Sequence, residues 1–187
     1  MTAVSVSGRF ISAEEYLAGE QCSEVRHEYI DGQVYAMTGA SDRHGLIVNA
    51  LAYALTPAAR RKQCQLFTSD MKVRLEIGGK TVFYYPDLLV SCDPQDREAY
   101  FRRFPCLIAE VLSESTVRID RREKLLAYQS LPSLRAYLLI EQDTMRVEIY
   151  RRSEAWQPTY HEQDEVWFDC LETALPIADI YQDVEME

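Results

Sequence analysis

The chain has 187 residues, 47% of them hydrophobic and 27% charged, with a formal net charge of −10. That length carries one domain with a full core and is short for two, and the composition excludes disordered, collagen-like and coiled-coil chains. No apolar run approaches the roughly 20 residues that cross a bilayer, and the acidic balance excludes a protein that coats nucleic acid through bulk charge.

Residues 1–8 lack a positive segment followed by an apolar one, so no signal peptide is expected. Ser12 followed by Ala13, Glu14 and Glu15 reads as a helix N-cap with acidic residues in the first turn, the helix ending near Gly19. Val25 to Ile30 and Gln33 to Met37 flank Asp31-Gly32, a strong two-residue hairpin signal. Ser41-Asp42 opens a longer helix in which Leu46, Ile47, Ala50, Leu51, Ala54 and Leu55 recur at helical spacing, with Pro57 marking the approach to its end.

From Cys64 the pattern changes to strands: 64–67, 71–77, a Gly78-Gly79 turn, then 81–85. Met71, Val73, Leu75 and Ile77 alternate with Lys72, Arg74 and Glu76, which predicts one solvated face. Residues 88–92 and 106–112 are nearly continuous apolar runs and read as central strands buried on both faces. A helix is predicted over 120–130, with Asp120 and Glu123 spaced as in a capping box. A hairpin over 135–140 and 146–151, weaker strands near 156–160 and 166–168, and a short closing helix over 175–181 complete the pattern. The fold class expected is α/β (α+β), a single domain over 1–187 with a central mixed sheet flanked by helices and extended by antiparallel hairpins.

The five cysteines, at 22, 64, 92, 106 and 170, are odd in number and include no Cys-x-x-Cys pair. Cys64, Cys92 and Cys106 lie in strand-like apolar runs, where a free thiol behaves as a small hydrophobe. The expectation is neither a disulfide framework nor a structural zinc site, and a reducing cytoplasm is the simplest compartment.

Charges on buried strands are rare unless used or paired, and two occur here. Asp87 follows Tyr84-Tyr85-Pro86 and precedes Leu88-Leu89-Val90; Glu110 sits inside the run 107–112. On neighbouring strands the two carboxylates converge, and with a backbone carbonyl and waters they make the hard oxygen set that Mg²⁺ prefers. Each could equally pair with an arginine or cap a turn.

Pro86-Asp87 followed by Glu110-Val111-Leu112 resembles the Pro-Asp…(Asp/Glu)-x-Lys motif of the restriction-endonuclease-like nuclease superfamily. More closely, segments 27–32, 39–44, 85–93, 110–116 and 120–124, in order over about residues 12 to 150, resemble the Uma family of restriction endonucleases, common in cyanobacteria. The resemblance implies a core in the order αβββαβ, Mg²⁺ or Mn²⁺ held by Asp87 and Glu110 with the Val111 carbonyl as a third ligand, and DNA as substrate. The superfamily's lysine would fall at Leu112, which carries no charge; the matching position is Lys124 on the following helix, where an ammonium could orient the attacking water or stabilise the phosphate. Away from the resemblance, Lys124 reads as an exposed i, i+4 pair with Asp120 worth about 0.3–0.5 kcal/mol.

Glu28 is a candidate further ligand, or else a hairpin charge facing solvent. His44, in the first turn of the long helix, could contact substrate or take a proton, or could cap and pack. Asp70 could approach the site across the sheet, and Asp93 begins an Asp-Pro turn. Among the basic clusters (Arg60-Arg61-Lys62, Arg102-Arg103, and Arg118, Arg121 and Arg122), the third lies nearest the site in sequence and could hold flanking phosphates. The competing readings are a catalytically silent binding or assembly module, and a metal-dependent hydrolase of a small phosphorylated molecule. A homodimer is expected from the superfamily's habit of cutting two strands with two copies; Tyr137, Tyr150, Trp156, Tyr160, Trp167 and Phe168 could build its interface or the second face of the core.

Overall fold

The computed structural model describes residues 9–113 and 116–186. Glu114 and Ser115, within one of the family-like segments, and the N-terminal residues 1–8 lie outside the described residues. Ser12 caps α1 (Ala13–Glu20) as expected, and the cap is a capping box completed by Glu15. The first hairpin comes next, β1 (His27–Ile30) and β2 (Gln33–Ala36). Its turn needs two left-handed residues, and Asp31 (φ 46°) and Gly32 (φ 91°) supply them. A Cβ at Gly32 would stand 2.2 Å from the Phe10 ring. Gly32→Ala is therefore expected to lower stability by about 1–2 kcal/mol, through both the turn conformation and displacement of Phe10, measured as a shift of the urea midpoint.

Helix α2 (Asp42–Arg61) is capped by the Ser41 hydroxyl, which accepts from the His44 N–H, and Pro57 is accommodated inside it. The strands β3 (Gln65–Thr68), β4 (Lys72–Ile77), β5 (Lys80–Tyr84), β6 (Leu88–Ser91), β7 (Phe101–Arg102) and β8 (Pro105–Val111) come after it. A helical segment of three parts succeeds them: α3 (Val117–Ile119), a π-helical turn over Asp120–Lys124, and α4 (Leu125–Gln129). Then come β9 (Ala136–Ile140), β10 (Val147–Arg151), β11 (Pro158–His161), β12 (Glu165–Phe168), β13 (Thr173–Pro176) and α5 (Ile177–Ile180).

The central sheet has six strands in the order β11-β10-β9-β8-β6-β3. It is mixed: β8 and β9 run parallel, joined through the α3–α4 segment, while β6 pairs antiparallel to both β3 and β8. Helix α2 covers one face with Ile47, Leu51 and Leu55, and Tyr128, Tyr137 and Leu139 belong to a second apolar cluster with β4 and β5. A separate five-stranded sheet, β2-β1-β5-β4-β7, carries the first hairpin, and β12 and β13 form a third sheet of their own.

Several expectations need correction. The segment over 175–181 begins as β13 before the short helix α5, because residues 173–176 pair with β12. Strand β7 carried no periodic signal and exists through a two-residue parallel pairing with β4. Lys72 does not face solvent: it is buried, donates to the Tyr85 hydroxyl at 3.0 Å, and burial pushes its ammonium below the ordinary range. Asp120 caps nothing, since the helical segment starts one residue after Thr116 with no side-chain cap. The free-thiol expectation also fails: Cys64 is bonded to Cys92 and Cys106 to Cys170, and among the described residues Cys22 is the free cysteine. Long-range strand pairing brought those sulfurs together, which local spacing could not reveal. Among the described residues, no helix is long and apolar enough to cross a membrane.

Candidate active site

The register of β6 against β8 places the two strand-borne carboxylates side by side. Leu88 lies opposite Ala109, so Asp87, one residue before β6, meets the end of β8 that carries Glu110 and Val111. The Asp87 carbonyl accepts from the Ser69 N–H at 3.0 Å, which holds its backbone to the turn after β3. Its Oδ2 accepts from the Val111 N–H at 2.7 Å and pairs with His44 Nε2 at 3.0 Å. His44 reaches it because the Ser41 cap fixes the first turn of α2 against the sheet.

Glu110 is 3% exposed, and its Oε1 accepts from Lys124 Nζ at 3.0 Å and from the Tyr128 hydroxyl at 3.1 Å. Burial pushes its carboxyl well above the usual range; Lys124 opposes the rise, and Asp120, Asp87 and Glu28 reinforce it. Lys124 is 5% exposed and stands 3.2 Å from Glu28 Oε1, 3.0 Å from Glu110 Oε1 and 3.3 Å from Asp120 Oδ1. Burial alone would lower its ammonium, but Glu110, Glu28 and Asp120 outweigh it and hold the group well above its ordinary value. The exposed surface pair with Asp120 that the spacing allowed is therefore a buried one.

The π-helical turn explains how a helical lysine gets there. An extra residue in the turn rotates the side chains beyond it to a new direction, a distortion common at functional sites. Asp120, Lys124 and Tyr128, four residues apart, all come in buried against β8. Asp120 and Tyr128 were missed as site residues, although an i, i+4, i+8 series through Lys124 marks one helix face and was the signal available.

Glu28 on β1 completes the group from the second sheet. Glu28 Oε1 and Asp120 Oδ1 are buried with no hydrogen-bond partner, held only at ion-pair distance from Lys124. Three carboxylates therefore share one ammonium, and buried charge compensated only in part is costly. With Asp87 next to Glu110 they form an oxygen donor set with surplus negative charge, which fits a hard divalent cation. The group opens into a cleft of about 780 Å³ that also meets Arg26, Asn49, Ser69 and Gln142.

Other candidates lie elsewhere. Asp70 pairs with Arg26 at 2.5 Å and is largely exposed, with no contact to Asp87 or Glu110 among the described residues. Asp93 accepts from the Gln95 N–H in the turn after β6. Arg121 is engaged by Glu141 at 2.7 Å and by Glu148, so of the third basic cluster Arg118 and Arg122 are the exposed members. Tyr137, Tyr150 and Phe168 are core, whereas Tyr160 and Trp167 are exposed.

Residues 13–177 match the model of the Uma2 family, described as "Putative restriction endonuclease". Two uncharacterized proteins of Synechocystis are similar to the chain. One, slr1290, is 37% identical over 157 residues, 82% of this chain and 82% of its own length. The other, sll1609, is 34% identical over 152 residues, 80% of this chain and 85% of its own length. A crystal structure from Anabaena variabilis, titled "a putative nuclease belonging to DUF820", shares the fold with a TM-score of 0.71 at 17% identity, covering 92% of this chain and 98% of its own.

Proposed function

This chain belongs to the Uma2 family, and from that premise we propose that it is a Mg²⁺- or Mn²⁺-dependent endonuclease that hydrolyses phosphodiester bonds in DNA. The observation that carries the reading is the meeting of Asp87, Glu110 and Lys124 at one end of the central sheet, beside an open cleft. In the proposed site Asp87 and Glu110 hold the ion, with the Val111 carbonyl as a third ligand. Such an ion, when bound, polarises the phosphate and activates water. Lys124 places a fixed positive charge where negative charge grows on the phosphate, which is most effective in a site shielded from water. Glu28 and Asp120, ion-paired with Lys124 through oxygens that accept no hydrogen bond, would hold waters around the ion and keep Lys124 charged and aimed. His44 would keep the Asp87 carboxylate oriented and, lining the cleft, would take a proton from a water there.

Arg118 and Arg122 would hold flanking phosphates; Arg121, already engaged, is not counted for that role. Two copies would act together on a duplex, with exposed Tyr160 and Trp167 as the contact between them. The test is nicking of supercoiled DNA by purified chain with and without Mn²⁺. His44→Ala is expected to lower kcat by about 10²-fold; full activity in that variant would remove His44 from the mechanism.

A second reading, a silent nuclease-fold binding module, is favoured by the net charge of −10 and by the engagement of Glu110 with Lys124 and Tyr128. It predicts no Mn²⁺ binding at millimolar concentration by calorimetry, where the nuclease reading predicts one site.

A further inference from the structure

Four of the five cysteines meet far from the carboxylates, and they arrive from four separate places in the fold. Cys64 ends the connection from α2 and Cys92 follows β6; since Gln65 pairs with Ser91, the two fall opposite each other across the β3–β6 ladder. Cys106 lies on β8 where the register shifts: Val90 faces Leu107 but Ser91 faces Pro105, which leaves Cys106 as the extra residue of a β-bulge. The bulge sends two consecutive side chains, Cys106 and Leu107, into the same core cluster. Cys170 comes from the turn between β12 and β13.

The sulfurs of Cys92, Cys106 and Cys170 lie within 4.8 Å of one another, and Cys64 is bonded to Cys92. Two independent disulfides require only two separate pairs. Here Cys92 Sγ is also 3.6 Å from Cys106 Sγ, across the pairs. Four thiolates at about 2.3 Å from a tetrahedral zinc stand roughly 3.8 Å apart. Backbone groups of two cationic residues border the cluster: the Lys62 carbonyl contacts Cys64 Sγ at 3.6 Å, and the Arg135 N–H donates to the Cys106 carbonyl.

We propose that Cys64, Cys92, Cys106 and Cys170, in their reduced form, bind one zinc-class cation that pins the β12–β13 turn to the central sheet. Soft thiolates select such an ion, whereas the oxygen set around Asp87 suits Mg²⁺ or Mn²⁺, so the chain carries two chemically distinct cation sites. The disulfide-bonded form is the oxidised state of the same centre. Reduction of each bond by a phosphine consumes one water and yields two thiols and the phosphine oxide; Zn²⁺ then displaces the four thiol protons.

The test uses the full chain, reduced with a phosphine and titrated with Co²⁺ and then Zn²⁺. Expected are the intense sulfur-to-cobalt absorption of a tetrahedral thiolate site, its displacement by one Zn²⁺ per chain, and retention of both in Cys22→Ser and in Asp87→Asn. Cys170→Ser is expected to weaken Zn²⁺ binding by more than about 100-fold, beyond what loss of an outer partner costs. Cys64→Ser supplies the same comparison should Cys170→Ser not fold. An oxygen-only cobalt spectrum, Zn²⁺ binding abolished by Asp87→Asn but kept in the cysteine variants, or bonds that resist the phosphine in the folded chain would each overturn the proposal.

Discussion

Asp87→Asn is expected to remove metal-dependent DNA cleavage, lowering kcat by at least about 10²–10³-fold, while changing stability by no more than about 1 kcal/mol. The asymmetry comes from what the carboxylate does. Structurally it accepts the Val111 N–H at 2.7 Å, and an asparagine oxygen can accept the same bond. Chemically it contributes a full negative charge beside Glu110, and an amide does not replace that as a ligand for a hard cation. The comparison is plasmid nicking in Mn²⁺ against the urea midpoint for the two proteins. Unchanged nicking in a folded variant would contradict the assignment of Asp87; equal loss of nicking and of structure would show the residue to be structural.

Lys124→Met is the largest expected effect on stability, a loss of about 3–5 kcal/mol at neutral pH. The ammonium is the single positive charge within ion-pair distance of Glu110, Glu28 and Asp120 among the described residues. Removing it leaves the buried Glu110 charge uncompensated. The Glu110 carboxyl is already raised by burial, so its folded-state value lies above the unfolded one near 4.3. A raised group favours the folded state fully below the unfolded value and loses that contribution as pH rises through the folded value. The variant should therefore approach wild-type stability in acid and fall behind as pH increases. Lys124→Met combined with Glu110→Gln should recover much of the loss, because both members of the pair are then neutral. Equal destabilisation at all pH values, with no recovery in the double variant, would mean that the lysine acts by packing alone.

The same sign governs metal affinity. A proton held by Glu110 competes with a cation, so Mn²⁺ affinity, measured by calorimetry, is expected to rise with pH over the range in which Glu110 deprotonates. An affinity independent of pH would place the ion away from Glu110.

The parts of the fold that were legible are those set by local chemistry. Asp31-Gly32 announced its hairpin because two left-handed residues in succession serve little else. The apolar runs of β6 and β8 announced buried central strands, and the charges of Asp87 and Glu110 beside and within them marked the place where two carboxylates meet. The features that stayed hidden depend on residues distant in the chain. Strand β7 owes its existence to β4, and Lys72 is buried by Tyr85 and the elements around it rather than by its own alternation. Cys106 joins the other sulfurs through a bulge that no spacing rule anticipates. Lys124 is an intermediate case. Resemblance to the family singled it out, but local spacing alone suggested an exposed pair, and its burial beside Asp120 and Tyr128 depends on packing against strands distant in the chain.

In the proposed site Asp87 and Glu110 would share one divalent ion. The measurement that bears on it most directly is a crystal of the full chain soaked in Mn²⁺ and read for anomalous density. One peak is expected between the two carboxylates, bonded to both at the roughly 2.0–2.2 Å of a small hard cation, with Glu28 and Asp120 facing its waters. No peak there, with Lys124 still bonded to Glu110, would contradict it.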